Sequence, residues 1–270
     1  MELSVGPPAS AREASARECA EVVWHDLECG SYRADLPLWQ ELAGRATGPI
    51  LEIGAGTGRV ALELARAGHL VTALERERVL LDALRTRPGA ERVRALLADA
   101  RDFRLPPRRF ALCVVPMQAI QLLGGASGRA LFLRRAGAAL RSGGLLACAV
   151  LARLEPFACA AGEEGPVAET ALIDGLLYTS QPTRVAVRRT EVVIERERRI
   201  LEPAPRGAGE ERRARRCLEG QCERSVVKLQ RLGVRQLQRE GRAAGLSVEP
   251  VREVRATDDH TGSTVVMLRA

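Results

Sequence analysis

The sequence predicts a doubly wound α/β fold, and three observations carry that prediction. Between residues 49 and 151, short apolar runs alternate with amphipathic helical stretches, the pattern of repeated βαβ units. The apolar runs are continuous, as in parallel strands covered on both faces. A glycine-rich turn, Gly54-Ala55-Gly56-Thr57-Gly58, follows the first run and opens a helix, a position where folds of this class hold ligands.

Residues 1–15 lack apolar periodicity and read as a flexible tail. Helical patterns follow at about 16–28 and 34–46. Pro49–Gly54 reads as a strand, and Gly58–Ala67 as a helix that Gly68 ends. His69–Glu75 is a strand, and Arg78–Thr86 a helix stopped by Pro88. Val93–Ala98 and Phe110–Pro116 are strands, Gly128–Arg141 is a helix closed by Gly143-Gly144, and Leu145–Leu151 is the fifth strand.

The pattern changes after residue 155. Glu169–Leu201 and Cys217–Leu229 hold strand-like pieces of mixed polarity, separated by a loop, Glu202–Arg216, with Pro203, Pro205, Gly207 and Gly209. Gly233–Ala244 is helical, and Leu246–Val254 and Ser263–Leu268 are strands. The reading is a tail (1–15), an α/β domain (16–154 and 231–270) and an inserted small antiparallel β subdomain (155–230).

A length of 270 residues suits one large domain, or one domain with an accessory subdomain. With 46% hydrophobic and 28% charged residues the composition is that of a globular chain. Its longest apolar stretches fall well short of the ~18 residues that span a bilayer. The first residues show no basic start followed by an apolar run. A cytoplasmic location and no membrane partner are expected.

The net charge of +7 invites a nucleic-acid reading, which the details weaken. Lys228 is the only lysine among 41 basic residues, and Asn is absent, a pattern of GC-rich codon usage. Residues 184–216 hold 11 Arg and 6 Glu in alternation, as on a solvated strand face. A nucleic-acid footprint would be one-signed and interleaved with aromatics, which make up only 3% here. No nucleic-acid partner is expected.

Cys113 and Cys148 fall inside strands, no Cys-x-x-Cys occurs, and His25, His69 and His260 are far apart. Reduced thiols and no metal site are therefore expected.

The spacing of the glycine loop decides what it can hold. A dinucleotide fingerprint puts its third Gly five residues after the first, and that position is Arg59. A phosphate-binding P-loop would need Gly-Lys-Ser/Thr, which is absent. Glu52, two residues before Gly54, would repel a pyrophosphate and suit a cationic ligand without phosphate. Glu75 ends the second strand, where an acid can accept hydrogen bonds from both ribose hydroxyls. Asp99 ends the third strand.

Glu52-x-Gly54-x-Gly56-x-Gly58 after a first strand resembles motif I of the class I S-adenosylmethionine (SAM)-dependent methyltransferases, of the small-molecule type. The resemblance covers about 20–151 and resumes at about 230–270. It implies a Rossmann-like, mostly parallel seven-stranded sheet whose last helix and antiparallel hairpin are 233–268. It implies SAM as cofactor, with S-adenosylhomocysteine as product. The cofactor contacts it implies are Tyr32 within Gly30–Asp35, Glu52, Gly54, Ala55, Gly56, Thr57 and Gly58, then Glu75 with Arg76, Asp99 with Ala100, and Pro116, Met117 and Gln121.

The family lines its acceptor site after the fourth strand, here with Met117 and Gln118. An alternative keeps Met117 and Ile120 as core, with Gln118 and Gln121 exposed. The Asn/Asp-Pro-Pro-Tyr/Phe motif of enzymes that act on DNA bases or glutamine amides is missing, which disfavours those substrates. The insertion leaves the carboxyl end of the fifth strand, so it starts on the ligand side and is expected to form a substrate lid, with Tyr178 and Arg224 facing the acceptor. The competing account is a dimerisation arm giving a homodimer. Candidate general bases are His25, Tyr32 and Glu155. Two other functions stay open. One is a non-catalytic SAM- or nucleoside-binding module. The other is an NAD-dependent oxidoreductase, opposed by Glu52, by Arg59 and by the lone Lys228, which excludes a Tyr-x-x-x-Lys pair.

Overall fold

The structure, a computed structural model, describes residues 18–151, 154–159, 165–202, 221–257 and 260–270. The expected tail (1–15) and nearly all of the expected loop Glu202–Arg216 lie outside the described residues.

The main sheet is built from β1 (Ile50–Ile53), β2 (Val71–Glu75), β3 (Val93–Leu97), β4 (Phe110–Val115) and β5 (Leu140–Leu151), joined by β11 (Ser247–Val254) and β12 (Ser263–Arg269) from the end of the chain. Its order is β11-β12-β5-β4-β1-β2-β3. β1 pairs in parallel with both β2 and β4, and β12 runs antiparallel to β5. The strand order reverses between β1 and β4, which opens a crevice at their carboxyl ends.

Side-chain alternation splits the core into two layers. Ile50, Leu112 and Val114 point to the side covered by α2 (Leu36–Arg45) and α3 (Ala61–Arg66), where Trp39, Leu42 and Leu64 pack. Leu51, Ile53, Cys113 and Val115 point to the side covered by α5 (Gly125–Ala139) and α6 (Val234–Ala243), against Phe132, Leu133 and Leu237. Trp39 is fully buried and its indole N–H donates to Asp35 at 2.8 Å. Truncating a side chain buried like this costs about 3–5 kcal/mol.

Three boundaries differ from expectation. α3 starts at Ala61, because Gly58 holds φ +96, outside the helical region. α5 starts earlier, at Gly125, and stops at Ala139. β5 begins at Leu140 and continues through Gly143-Gly144.

The insertion forms a separate antiparallel sheet, as expected. It contains β6 (Phe157–Ala158), β7 (Glu169–Ile173), β8 (Leu176–Val187), β9 (Glu191–Leu201) and β10 (Gln221–Gln230), in the order β10-β9-β8-β6, with β7 also on β8. Asp174 and Gly175 both have positive φ and make the tight turn from β7 to β8. Gln121 joins the two sheets: its amide oxygen accepts the Leu151 N–H at 2.8 Å, and its amide nitrogen donates to the Gln230 carbonyl at 2.9 Å.

The N-terminal segment is a helix over 18–25 (α1) that widens into a π-helical turn, Asp26–Gly30. It bridges the two units. Asp26 accepts from Thr57 at 2.6 Å and pairs with Arg87, while Glu28 pairs with Arg198 of β9.

Candidate active site

A cavity of about 600 Å³ lies between the carboxyl ends of β1–β4 and the second sheet, with α1 and its π turn at one side. The glycine loop forms part of its floor. Gly54 and Gly56 take φ +69 and +54, which an L side chain rarely adopts. A Cβ on Gly56 would meet the His25 ring at 2.3 Å, so the imidazole lies directly on the loop. His25 lines the cavity and its Nδ1 is 3.3 Å from the Thr57 hydroxyl.

Glu75 is nearly buried and gathers the loop around its carboxylate. One oxygen accepts the Gly56 N–H at 2.9 Å. The other accepts the N–H groups of Arg76 and Glu77 at 2.8 and 3.0 Å. These three donors leave one of the carboxylate's about four acceptor positions, on the oxygen that holds the Gly56 N–H.

Glu52 is the electrostatic outlier. It is buried, lines the cavity, and its Oε2 has no hydrogen-bond partner among the described residues. Burial pushes its carboxyl up to about 8, opposed by the Arg59 charge and aided by Asp35. Arg59 offsets the burial only in part: its guanidinium forks onto Asp35 at 2.6 and 2.8 Å and also donates to the Tyr32 carbonyl at 2.7 Å. Arg59 also stacks over the Tyr32 ring, 5.3 Å from its centroid, which holds Tyr32 at the cavity edge-on to His260.

Of the other residues expected at the site, Ala55, Arg76, Asp99, Ala100, Pro116, Met117 and Gln118 line the cavity. The Asp99 carboxylate is engaged by Arg101 through both Nε and Nη2. This contact, against the cost of partial burial, holds it below the ordinary carboxylate range.

Six expectations need correction on placement. The Thr57 side chain is buried and bonded to Asp26, away from the cavity. Gly58 packs toward Leu62 and Leu84, where a Cβ would sit 3.0 Å from both, so it serves helix packing. Gln121 was expected at the cofactor or on the surface; it is buried, and both ends of its amide are committed to the joint between the sheets. Tyr178 stands edge-on to the buried Trp24, 5.2 Å between centroids, and braces α1. Arg224 is exposed and pairs with Glu195. Glu155 is exposed and does not line the cavity.

The second sheet reaches the cavity through other residues: Phe157, Pro182, Val185, Ile194, Arg196, Val227 and Leu229. Period-two alternation along β8, β9 and β10 was the signal that could have found them.

Residues 50–144 match a family model described as a methyltransferase domain. This stretch is a methyltransferase domain. It contains β1 through β4, the glycine loop and the acids at three strand ends, and it stops within β5. No curated protein matches the chain. Solved structures resemble it in fold. The CcbJ methyltransferase of Streptomyces caelestis is 20% identical at a TM-score of 0.63, covering 88% of this chain and 90% of its own. A SAM-bound amino pentose methyltransferase of Micromonospora echinaspora is 18% identical at 0.60, with 100% of both chains covered. A sugar N-methyltransferase of a Streptoalloteichus species is 16% identical at 0.61, covering 100% and 98%. The likeness extends past the methyltransferase domain to the second sheet.

Proposed function

We propose that this protein transfers a methyl group from SAM to a small-molecule acceptor held between its two sheets. The observation that carries the reading is the buried Glu52 carboxyl, its Oε2 without a partner among the described residues, at a cavity floored by Gly54 and Ala55 and flanked by Glu75. That donor set suits SAM, which has a cationic ammonium, a ribose and no phosphate. Glu52 would take the ammonium, the remaining acceptor position of Glu75 a ribose hydroxyl, and Asp99 with the Ala100 backbone the adenine edge, with Arg101 giving way.

When bound, SAM supplies a methyl group that is already activated, so alignment and exclusion of water provide most of the acceleration. The chain's part is to close the site. α1 lays His25 over the loop, and the second sheet serves as lid and acceptor wall. His25 and His260 are the imidazoles at the cavity that could take a proton from an acceptor amine. The amino pentose and sugar N-methyltransferases of the same fold support amine-bearing acceptors. A cavity wall supplied by the insertion favours an enzyme over a pure SAM-binding module, which needs no second chamber.

The test is incubation with SAM carrying a labelled methyl and a panel of amines and alcohols. Label recovered in an acceptor supports the reading. Tight SAM binding with no transfer to any of them would favour the binding module.

A further inference from the structure

The second sheet's contribution to the cavity is apolar across four strands. Phe157 of β6 stands opposite Val185 of β8, Val185 opposite Ile194 of β9, and Ile194 opposite Val227 of β10. All four line the cavity, so they form one transverse row on the inward face. Leu229, two residues on from Val227, continues that face. Arg196, two residues on from Ile194, is the one charged side chain that the described residues of this sheet turn to the cavity. It is already held by Glu169 at 2.7 Å and Ser180 at 3.2 Å.

We propose that, within the methyltransferase reading on which this rests, the acceptor is a molecule with an apolar ring or chain as its body and a single amine or hydroxyl as its nucleophile. The body sits on the row Phe157–Val185–Ile194–Val227. A free sugar is a poor match. Each hydroxyl laid on this row loses its water and gains no partner, which is unfavourable. A hydrocarbon face laid there is released from water at no such loss. The row also gives the insertion a role as the specificity wall.

Calorimetric titration of the full chain with 1-naphthylmethylamine and with glucosamine tests this, with SAM titrated into the same preparations. The aryl amine should bind at least tenfold more tightly than glucosamine, with a negative heat-capacity change. Ile194→Thr keeps a β-branched residue in the strand, and Val227→Ser offers an independent change on the neighbouring strand. Each should weaken aryl-amine binding at least fivefold while SAM affinity stays within twofold, which also reports an intact fold. Glucosamine binding as tightly as the aryl amine, or both variants binding the aryl amine like the wild type, overturns the acceptor class alone. Failure of the wild type to bind SAM overturns the methyltransferase reading and this inference with it.

Discussion

Glu28 and Arg198 form a two-pronged ion pair that fastens the N-terminal segment to the second sheet, Nε to Oε1 at 2.8 Å and Nη2 to Oε2 at 3.0 Å. The Ser180 hydroxyl adds a third bond to Glu28 at 2.8 Å, and the Arg198 guanidinium lies 5.5 Å from the Trp24 ring centroid. Both charged side chains are almost out of water, at 12% and 11% exposure. The same segment lays His25 over the glycine loop, so this pair couples the second sheet to the cover of that loop.

Removing one partner would strand the other charge. Arg198→Ala should therefore destabilise the protein by about 2–4 kcal/mol in denaturant unfolding. It should also speed limited proteolysis within 18–30. Burial alone would raise the Glu28 carboxyl, but hydrogen bonding and charge from Arg198, with Arg196 and Ser180, hold it below its ordinary 4.5. Its stabilisation is thus present above about 4.5 and is lost as pH falls through the lowered value. The wild type should lose stability on acidification in that window more steeply than Glu28→Gln. Parallel pH profiles would dismiss the pair as a stabilising contact.

Gln121 offers a second test, one that separates structure from binding. Gln121→Leu leaves the Leu151 N–H and the Gln230 carbonyl without their partners, at about 1–3 kcal/mol each. Unfolding should register the loss, and SAM affinity should stay within about twofold. A large drop in SAM affinity with stability unchanged would restore Gln121 to the cofactor site.

Glu52 makes the stability of the protein fall with rising pH across the range between about 4.5 and about 8. Its folded value, about 8, lies above the ordinary 4.5, so its contribution is fully present below about 4.5 and is lost as pH rises through about 8. A ligand ammonium would stabilise the ionised form. Binding of SAM at pH 6.5 should therefore release a proton, seen as a binding enthalpy that depends on the buffer's heat of ionisation. Glu52→Gln should abolish that dependence and weaken binding by about tenfold, the equivalent of ~1.4 kcal/mol. A buffer-independent enthalpy in the wild type would show that Glu52 meets no cation.

The fold of the α/β unit was legible in the sequence because continuous apolar strands, amphipathic helices and glycine stops all agree there. The loop Gly54–Gly58 and the acids at strand ends stand at positions fixed by local spacing, so Glu52, Glu75 and Asp99 could be read directly. Tyr178 and Arg224 could not be placed, because the face a residue takes in the second sheet depends on register. A register irregularity between Pro182 and Arg184 changes that face midway along β8. Val185 and Ile194 carried the visible signal, apolar residues in strands of otherwise mixed polarity. The Arg59–Asp35 fork and the Gln121 joint are contacts across 24 and at least 30 residues of chain, which no local pattern announces.

The central claim, that this cavity holds SAM through the glycine loop and Glu75, is tested most directly by calorimetric titration of SAM and NAD into the wild type and Glu75→Gln. The wild type should bind SAM and not NAD. Glu75→Gln, which keeps the side chain's size and removes its charge, should weaken SAM by about 1.5–3 kcal/mol through lost charge-assisted bonds. NAD binding in preference to SAM, or SAM binding indifferent to Glu75→Gln, would contradict it.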